Sequence, residues 1–287
     1  MNPAKNYFLL HSAARPLRRV VAALVVIAGT HAAQGQYGNP QVGIPTWEVD
    51  PEFKHDVFTF ARVQYTSYGL RGYGIRGWGR GDSMWAVDYP DAELNLAFRL
   101  QQMTSMKVSP EPVVVKLDQE GLQDYPFLYI VEPGSLHFGE NEVVALREYL
   151  LNGGFLMFDD FWGEREWSNV FYEIKRVFPN REIIDLPIEH PIFHIVFDLK
   201  EKPQIPSIRH AESFRGTNIT WERQDAKTVH YRGIFDDNGR LIVLICQNTD
   251  LGDGWEREGE SHYYFREFAE KKAYPMGINI IFYVMTH

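Results

Sequence analysis

The chain has 287 residues, 45% hydrophobic and 14% aromatic, enough apolar content for one or two folded domains and too much for a disordered chain. The first 35 residues hold Lys5, Arg15, Arg18 and Arg19 and no acid, which leaves 25 of the 29 basic residues facing all 38 acidic ones in the remainder. A body this acidic lacks the Lys and Arg needed to neutralise phosphates, which excludes sequence-independent nucleic-acid binding and docking on anionic lipid.

The chain opens with an export-signal pattern. Arg15, Arg18 and Arg19 precede the apolar run "VVAALVVIA" (residues 20–28), which is too short to span a bilayer. Small residues Ala32, Ala33 and Gly35 supply a cleavage site, so residues 1–35 are expected to be a signal peptide and the mature protein to be periplasmic or extracellular, with no membrane span. Residues 36–56 are polar and proline-bearing and are expected to form a linker. The only cysteine is Cys246, so no internal disulfide is possible and the core alone must carry stability.

Beyond the linker, "VFTFARVQY" (residues 57–65) is rich in β-branched and aromatic residues and predicts a strand. The glycines at 69, 72, 74, 77, 79 and 81 then mark a loop that displays Arg71, Tyr73 and Trp78. They do not open a helix directly, so their spacing is not a dinucleotide-binding fingerprint. Asp88, Pro90 and Asp91 signal a helix start, and Leu96, Leu100 and Met103 recur at helical spacing. Residues 112–118 and 125–132 read as strands. Residues 140–152 read as a helix with Val143, Leu146 and Leu150 on its apolar face and Gly153 at its C-terminal end. A strand over residues 155–160 follows. The next helix covers 166–178, with Trp167, Val170, Phe171, Ile174, Val177 and Phe178 on its stripe, and a further strand covers 182–187. Strands alternating with amphipathic helices predict an α/β protein with a mostly parallel sheet and helices on both faces. Residues 228–248 then read as a β-hairpin turning at Asp237-Asn238-Gly239, and 275–287 as a closing helix.

Five stretches, "FARVQY", "DYPDAELNLAFRL", "LREYLLNGGFLMFDD", "LPIEHPIFH" and "NTDLGDGWEREG", together resemble the bacterial family called domain of unknown function 4159, over roughly residues 57–287. That family in turn resembles the class I glutamine amidotransferase-like fold, a flavodoxin-like parallel sheet. The resemblance implies architecture for residues 57–287 and next to nothing about activity. Amidotransferase chemistry needs a cysteine on a sharp strand-to-helix turn, activated by a histidine. Cys246 instead ends a β-type apolar run and is followed by "QNTD" with no glycine-flanked elbow, so it reads as a small buried hydrophobe and the nucleophile as missing.

Three groups of residues remain as site candidates. The strand at 155–160 ends in Asp159 and Asp160, followed by Trp162. In open α/β sheets ligands bind beyond the carboxyl ends of strands, which suits these acids to a site. Neighbours on a strand point to opposite faces, however, so one can face a cleft while the other caps a backbone amide, and two acids in a row do not make a dyad. In "LPIEHPIFH", His190 and His194 have the spacing of a zinc pair, but Pro187 and Pro191 oppose the helix that geometry needs. Glu189 or His190 can enter the same cleft as acid or base; the commoner arrangement is a rigid loop in which His190 satisfies buried carbonyls. In "DLGDGWEREGE", Asp250, Asp253 and Glu256, with Glu258 and Glu260, offer oxygen donors suited to a hard cation such as calcium. The spacing is not that of an EF-hand, and a solvated acidic loop without metal is the expected reading. Trp255, with Arg71, Tyr73, Trp78 and Trp162, can form an aromatic rim for a glycan or peptide or simply cover the sheet end.

Two functions fit. The first is a non-catalytic binding or assembly module of the cell envelope, with an envelope protein, peptide or glycan as partner and no cofactor. The second is a hydrolase using Asp159 or Asp160 with His190 as acid and base, with or without a metal.

Overall fold

A computed structural model of the chain describes residues 44–53, 56–67 and 81–287. The expected signal peptide, much of the expected linker, and Arg71, Tyr73 and Trp78 lie outside the described residues. The strands are β1 (Ala61–Val63), β2 (Thr66–Ser67), β3 (Val113–Val115), β4 (Phe127–Val131), β5 (Leu136–His137), β6 (Phe155–Phe161), β7 (Ile184–Asp185), β8 (His230–Phe235) and β9 (Leu241–Gln247). The helices are α1 (Asp91–Met103), α2 (Glu140–Leu151), α3 (Gly163–Val177), α4 (Ile208–Ser213), α5 (Leu251–Glu256), α6 (His262–Tyr264) and α7 (Tyr274–Thr286). A π-helical stretch, Phe265–Ala273, joins α6 to α7.

Seven strands form one sheet in the order β3-β1-β4-β6-β9-β8-β7. Strands β3, β1, β4, β6 and β9 pair in parallel, while β8 and β7 add antiparallel strands at one edge. β2 and β5 make a separate antiparallel pair. The expected hairpin is present as β8–β9, and β9 also lies beside β6 and completes the parallel set. One expectation is corrected: the strand at 182–187 shortens to β7, which pairs antiparallel with β8 at the sheet edge.

The central strands are buried on both faces, and alternation divides their side chains between two cores. Phe127, Tyr129 and Val131 of β4, Phe155 and Met157 of β6, and Leu244 and Cys246 of β9 pack with α1 and α7. Leu128, Ile130, Leu156, Phe158, Val243 and Ile245 face the other way, against Val143, Leu146 and Leu150 of α2 and Val170, Ile174 and Val177 of α3. Period-2 strands sandwiched by helical stripes produce this arrangement directly. On α3 the stripe is narrower than expected only at Phe171, which is exposed; Trp167 packs half-buried against this core, with the Arg232 guanidinium 4.1 Å from its ring.

α3 begins at Gly163, three residues before its expected start, because its first amides find acceptors. Glu166 Oε2 accepts from Trp162 N (2.8 Å), Asn248 Oδ1 from Gly163 N (2.8 Å) and Asp225 Oδ2 from Glu164 N (3.1 Å). Side chains thus take up amides that a helix N-terminus otherwise leaves without partners. Within the expected linker, Trp47 is docked, its Nε1 donating to Val108 O at 2.7 Å. Cys246 is fully buried within β9, opposite Tyr231, and burial pushes its thiol well up, so it sits on no elbow and is held as the thiol. Among the described residues no helix is long and apolar enough to cross a membrane.

Candidate functional site

The carboxyl ends of β4, β6 and β9 lie together, and each has a left-handed residue that is not glycine: Glu132 (φ 50°) just after β4, Asp160 (φ 54°) within the last residues of β6, and Asn248 (φ 62°) just after β9. A fourth such residue, Asp88 (φ 62°), lies in the segment leading to α1. These conformations cost free energy and persist only where surrounding structure holds them, which makes their convergence a pointer to function.

The register of β6 explains how adjacent acids share one place. Phe158 pairs with Ile245, but Phe161 pairs with Gln247, so β6 carries one extra residue between these pairs. Such a bulge re-aims side chains. Strict alternation, which would send Asp159 and Asp160 to opposite faces, is broken at this point. Asp159 Oδ2 accepts from the Tyr129 hydroxyl (2.9 Å) and from Gly252 N (2.9 Å), while its Oδ1 has no hydrogen-bond partner. Burial raises its pKa to about 7. Asp160 Oδ1 accepts from Trp162 Nε1 at 3.2 Å. Burial, then Glu132 and Asp88, push Asp160 well above the ordinary carboxylate range.

The stretch 250–260 is not the solvated loop expected from its charge. It contains α5, whose residues are all buried. Asp250 caps this helix, its Oδ1 accepting from Asp253 N at 2.7 Å, and burial together with Asp160 pushes it well up. Asp253 accepts from Ile208 N (2.7 Å) and pairs with Arg257 (3.3 Å), and burial raises it to about 6. Glu256 pairs with Arg257 at 2.9 Å, and burial and Asp88 push it up to about 11. Glu132 is raised to about 8 by burial and Glu166.

Asp88 is carried by a segment strapped to β1. Arg62, fully buried in β1, donates through Nη1 to the carbonyls of Trp85 (3.1 Å) and Val87 (2.8 Å) and pairs with Glu93 of α1. Its guanidinium stacks 4.8 Å from the Tyr129 ring. Tyr129 therefore touches the group that positions Asp88 on one side and Asp159 on the other. Gly252 completes the packing: a Cβ there would lie 2.9 Å from the Tyr129 hydroxyl, 3.1 Å from Asp88 Oδ2 and 3.5 Å from Asp250 Oδ1.

The structure thus brings Asp159, Asp160, Asp250, Asp253 and Glu256 together, with Trp162 alongside. It does not bring His190 to them. His190 accepts from Ile192 N and its ring packs against Phe235 and Tyr283. Phe235 pairs with Leu241 at the amino end of β9, whereas the acids lie at the carboxyl ends, so the length of the sheet separates the proposed acid and base. Trp255 forms no rim either: it is buried against Phe60 and Tyr129, with its indole N–H donating to Ala273 O at 2.9 Å. Asp88 and Glu132 were missed as site residues. One reads as a helix start and the other as a strand end; Asp88 stands far from Asp160 and Asp250 in sequence, and only the fold joins them.

Chemically, the place is a wall of oxygen donors, and among the described residues it holds neither a thiolate nor an imidazole. Residues 59–285 match the family model described as Domain of unknown function (DUF4159). No curated protein matches the chain.

Proposed function

The chain belongs to the DUF4159 family, and we propose that it is an exported, non-catalytic binding module of the cell envelope that receives a cationic ligand in the carboxylate cleft at the strand ends. The observation that carries this reading is the convergence of Asp88, Asp160 and Asp250 without a compensating side chain: among the described residues none of the three pairs with Lys, Arg or His, and one oxygen of each lies within 4.8 Å of the others. Buried like charges are costly unless something positive joins them. The separation of His190 from the acids removes the support that an Asp–His hydrolase would need.

Export rests on the Arg15–Arg18–Arg19 and "VVAALVVIA" pattern. The order of the parallel strands, the second beside the first and then the third, fourth and fifth, supports the flavodoxin-like, glutamine amidotransferase-like arrangement that the family resemblance implies. In such folds the ligand crevice lies where the strand order reverses, here between β1 and β4, next to Arg62 and Tyr129.

The test compares the wild-type chain with a variant carrying Asp88→Asn, Asp160→Asn and Asp250→Asn. Calcium ion and spermidine serve as inorganic and organic cationic probes, read by thermal unfolding after dialysis against chelator. At least one probe raises the wild-type Tm and leaves the variant unmoved; a wild type indifferent to both would end the reading. Fractionation of the native host tests export, and a full-length cytoplasmic product refutes it.

A further inference from the structure

The geometry points to one oxygen-loving divalent metal ion, calcium in preference to magnesium, held by Asp88, Asp160 and Asp250. This inference rests on the cationic-cleft reading and narrows its ligand from any cation to a metal.

Two acidic triads share Asp88: one with Asp160 and Asp250, the other with Asp253 and Glu256. The second already has its cation, because Arg257 Nε lies 3.3 Å from Asp253 Oδ1 and 2.9 Å from Glu256 Oε2. The first has none, so the two triads are not equivalent and only the first calls for an added charge.

A second observation is independent of this clustering. Asp159 is fully buried, two donors converge on its Oδ2, and its Oδ1 is left without a hydrogen-bond partner. Within the triad itself, the Oδ2 atom of half-buried Asp88 is also shielded from solvent and without a hydrogen-bond partner. Leaving a buried acceptor unmade is unfavourable, and native structures do so seldom outside sites that bind something. Both carboxylates approach Gly252, whose amide donates to Asp159 and whose Cα packs beside Asp88 Oδ2 and Asp250 Oδ1. A Cβ at 252 would crowd these oxygens.

Donor chemistry and size select the ion. A set made only of carboxylates suits hard cations, since zinc and copper prefer imidazole and thiolate. One ion can touch two oxygens no farther apart than twice its bond length, about 4.6–5.2 Å for calcium and about 4.0–4.2 Å for magnesium. Oxygens within 4.8 Å of one another lie inside calcium's reach, and magnesium, which keeps its waters and usually takes only one or two carboxylates, is less suited to a set of three protein carboxylates. A primary ammonium also matches three oxygens at this spacing; the burial of Asp160 and Asp250 favours a bare ion over one carrying an alkyl chain, and the spermidine arm of the test separates the two.

The experiment uses the full chain, dialysed against chelator, in three arms. Calorimetric titration with calcium gives one ion per chain, with magnesium weaker. Terbium, a calcium surrogate, gives luminescence on tryptophan excitation, because Trp162 bonds directly to Asp160, and calcium quenches it by displacement. Asp160→Asn and Asp250→Asn each weaken calcium binding by at least about tenfold, the scale seen even for losing an outer-shell partner. Asp185→Asn, at the far sheet edge, leaves it unchanged. If one variant fails to fold by circular dichroism, the other and the wild-type displacement still decide. The assignment is overturned if calcium, magnesium and manganese give no response up to about 10 mM, beyond the weakest calcium modules. It is equally overturned if Asp185→Asn weakens binding as much as Asp250→Asn, which would mark a diffuse charge effect. Spermidine separates the two levels: binding of spermidine without any metal keeps the cationic cleft and rejects the metal, and failure of both rejects both.

Discussion

Asp159→Asn is expected to stabilise the metal-free protein, and to do so more as pH rises. Burial holds the Asp159 carboxyl at about 7 in the fold, against an ordinary value of 3.8. That is about three pH units, each worth about 1.4 kcal/mol, so ionising this group inside the fold costs roughly 4 kcal/mol. The sign follows from proton binding. Below the unfolded value both states hold the proton and the full stability is present. Between there and about 7 only the folded state holds it, so stability falls as pH rises; above about 7 both are ionised and the loss is complete. The Asn variant has no such group. Its amide oxygen still accepts from the Tyr129 hydroxyl and Gly252 N, and its amide N–H groups replace the oxygen that has no partner. Loss of charge assistance on the two retained bonds removes about 1–2 kcal/mol of that gain. The net effect is about 2–3 kcal/mol of stabilisation at pH 8, on the order of 5–10 °C in Tm for a chain of this size, and close to nothing at pH 5. Urea unfolding in chelator at both pH values measures it. Equal destabilisation at pH 5 and pH 8 would show that the carboxylate carries no ionisation cost, and the electrostatic account of the cleft would fall with it.

Gly252→Ala places a methyl 2.9 Å from the Tyr129 hydroxyl and 3.1 Å from Asp88 Oδ2, so a loss of about 1–3 kcal/mol from overpacking is expected in the same urea assay; a neutral result would mean that Tyr129 is free to move. Arg62→Met strands the fully buried Glu93 and releases two carbonyls of the Asp88 segment, which should cost about 3–5 kcal/mol, with most of it recovered in Arg62→Met/Glu93→Leu; no recovery would assign the loss to the carbonyls instead. Cys246→Ser should leave cation binding intact at a cost of about 1–3 kcal/mol, and the native thiol should resist alkylation until the protein unfolds, because it is fully buried and burial keeps it protonated. Rapid alkylation of the folded protein would contradict that environment.

The elements were legible wherever a pattern repeats within a few residues. Continuous apolar runs at β4, β6 and β9 and the period-3.6 stripes of α1, α2 and α3 announce buried elements locally, and the turn at Asp237-Asn238-Gly239 announces the hairpin. The placement of Asp159 and Asp160 at a strand's carboxyl end was legible for the same reason. What they do there was not. Alternation alone sends neighbouring side chains apart, and only pairing with β9 creates the bulge that turns them together. Charge misled at 250–260, because a run of acids reads as solvated unless one sees that α5 is packed beneath the strand ends and that Arg257 neutralises part of it. His190 and Trp255 misled in the opposite sense: residue type suggested a site, and packing sent one to the amino end of the sheet and the other into the core. The cleft joins Asp88, Asp160 and Asp250 across long stretches of chain. Their interaction depends on distance in space, and no local regularity of the sequence records which distant carboxylates a parallel sheet will gather at one end.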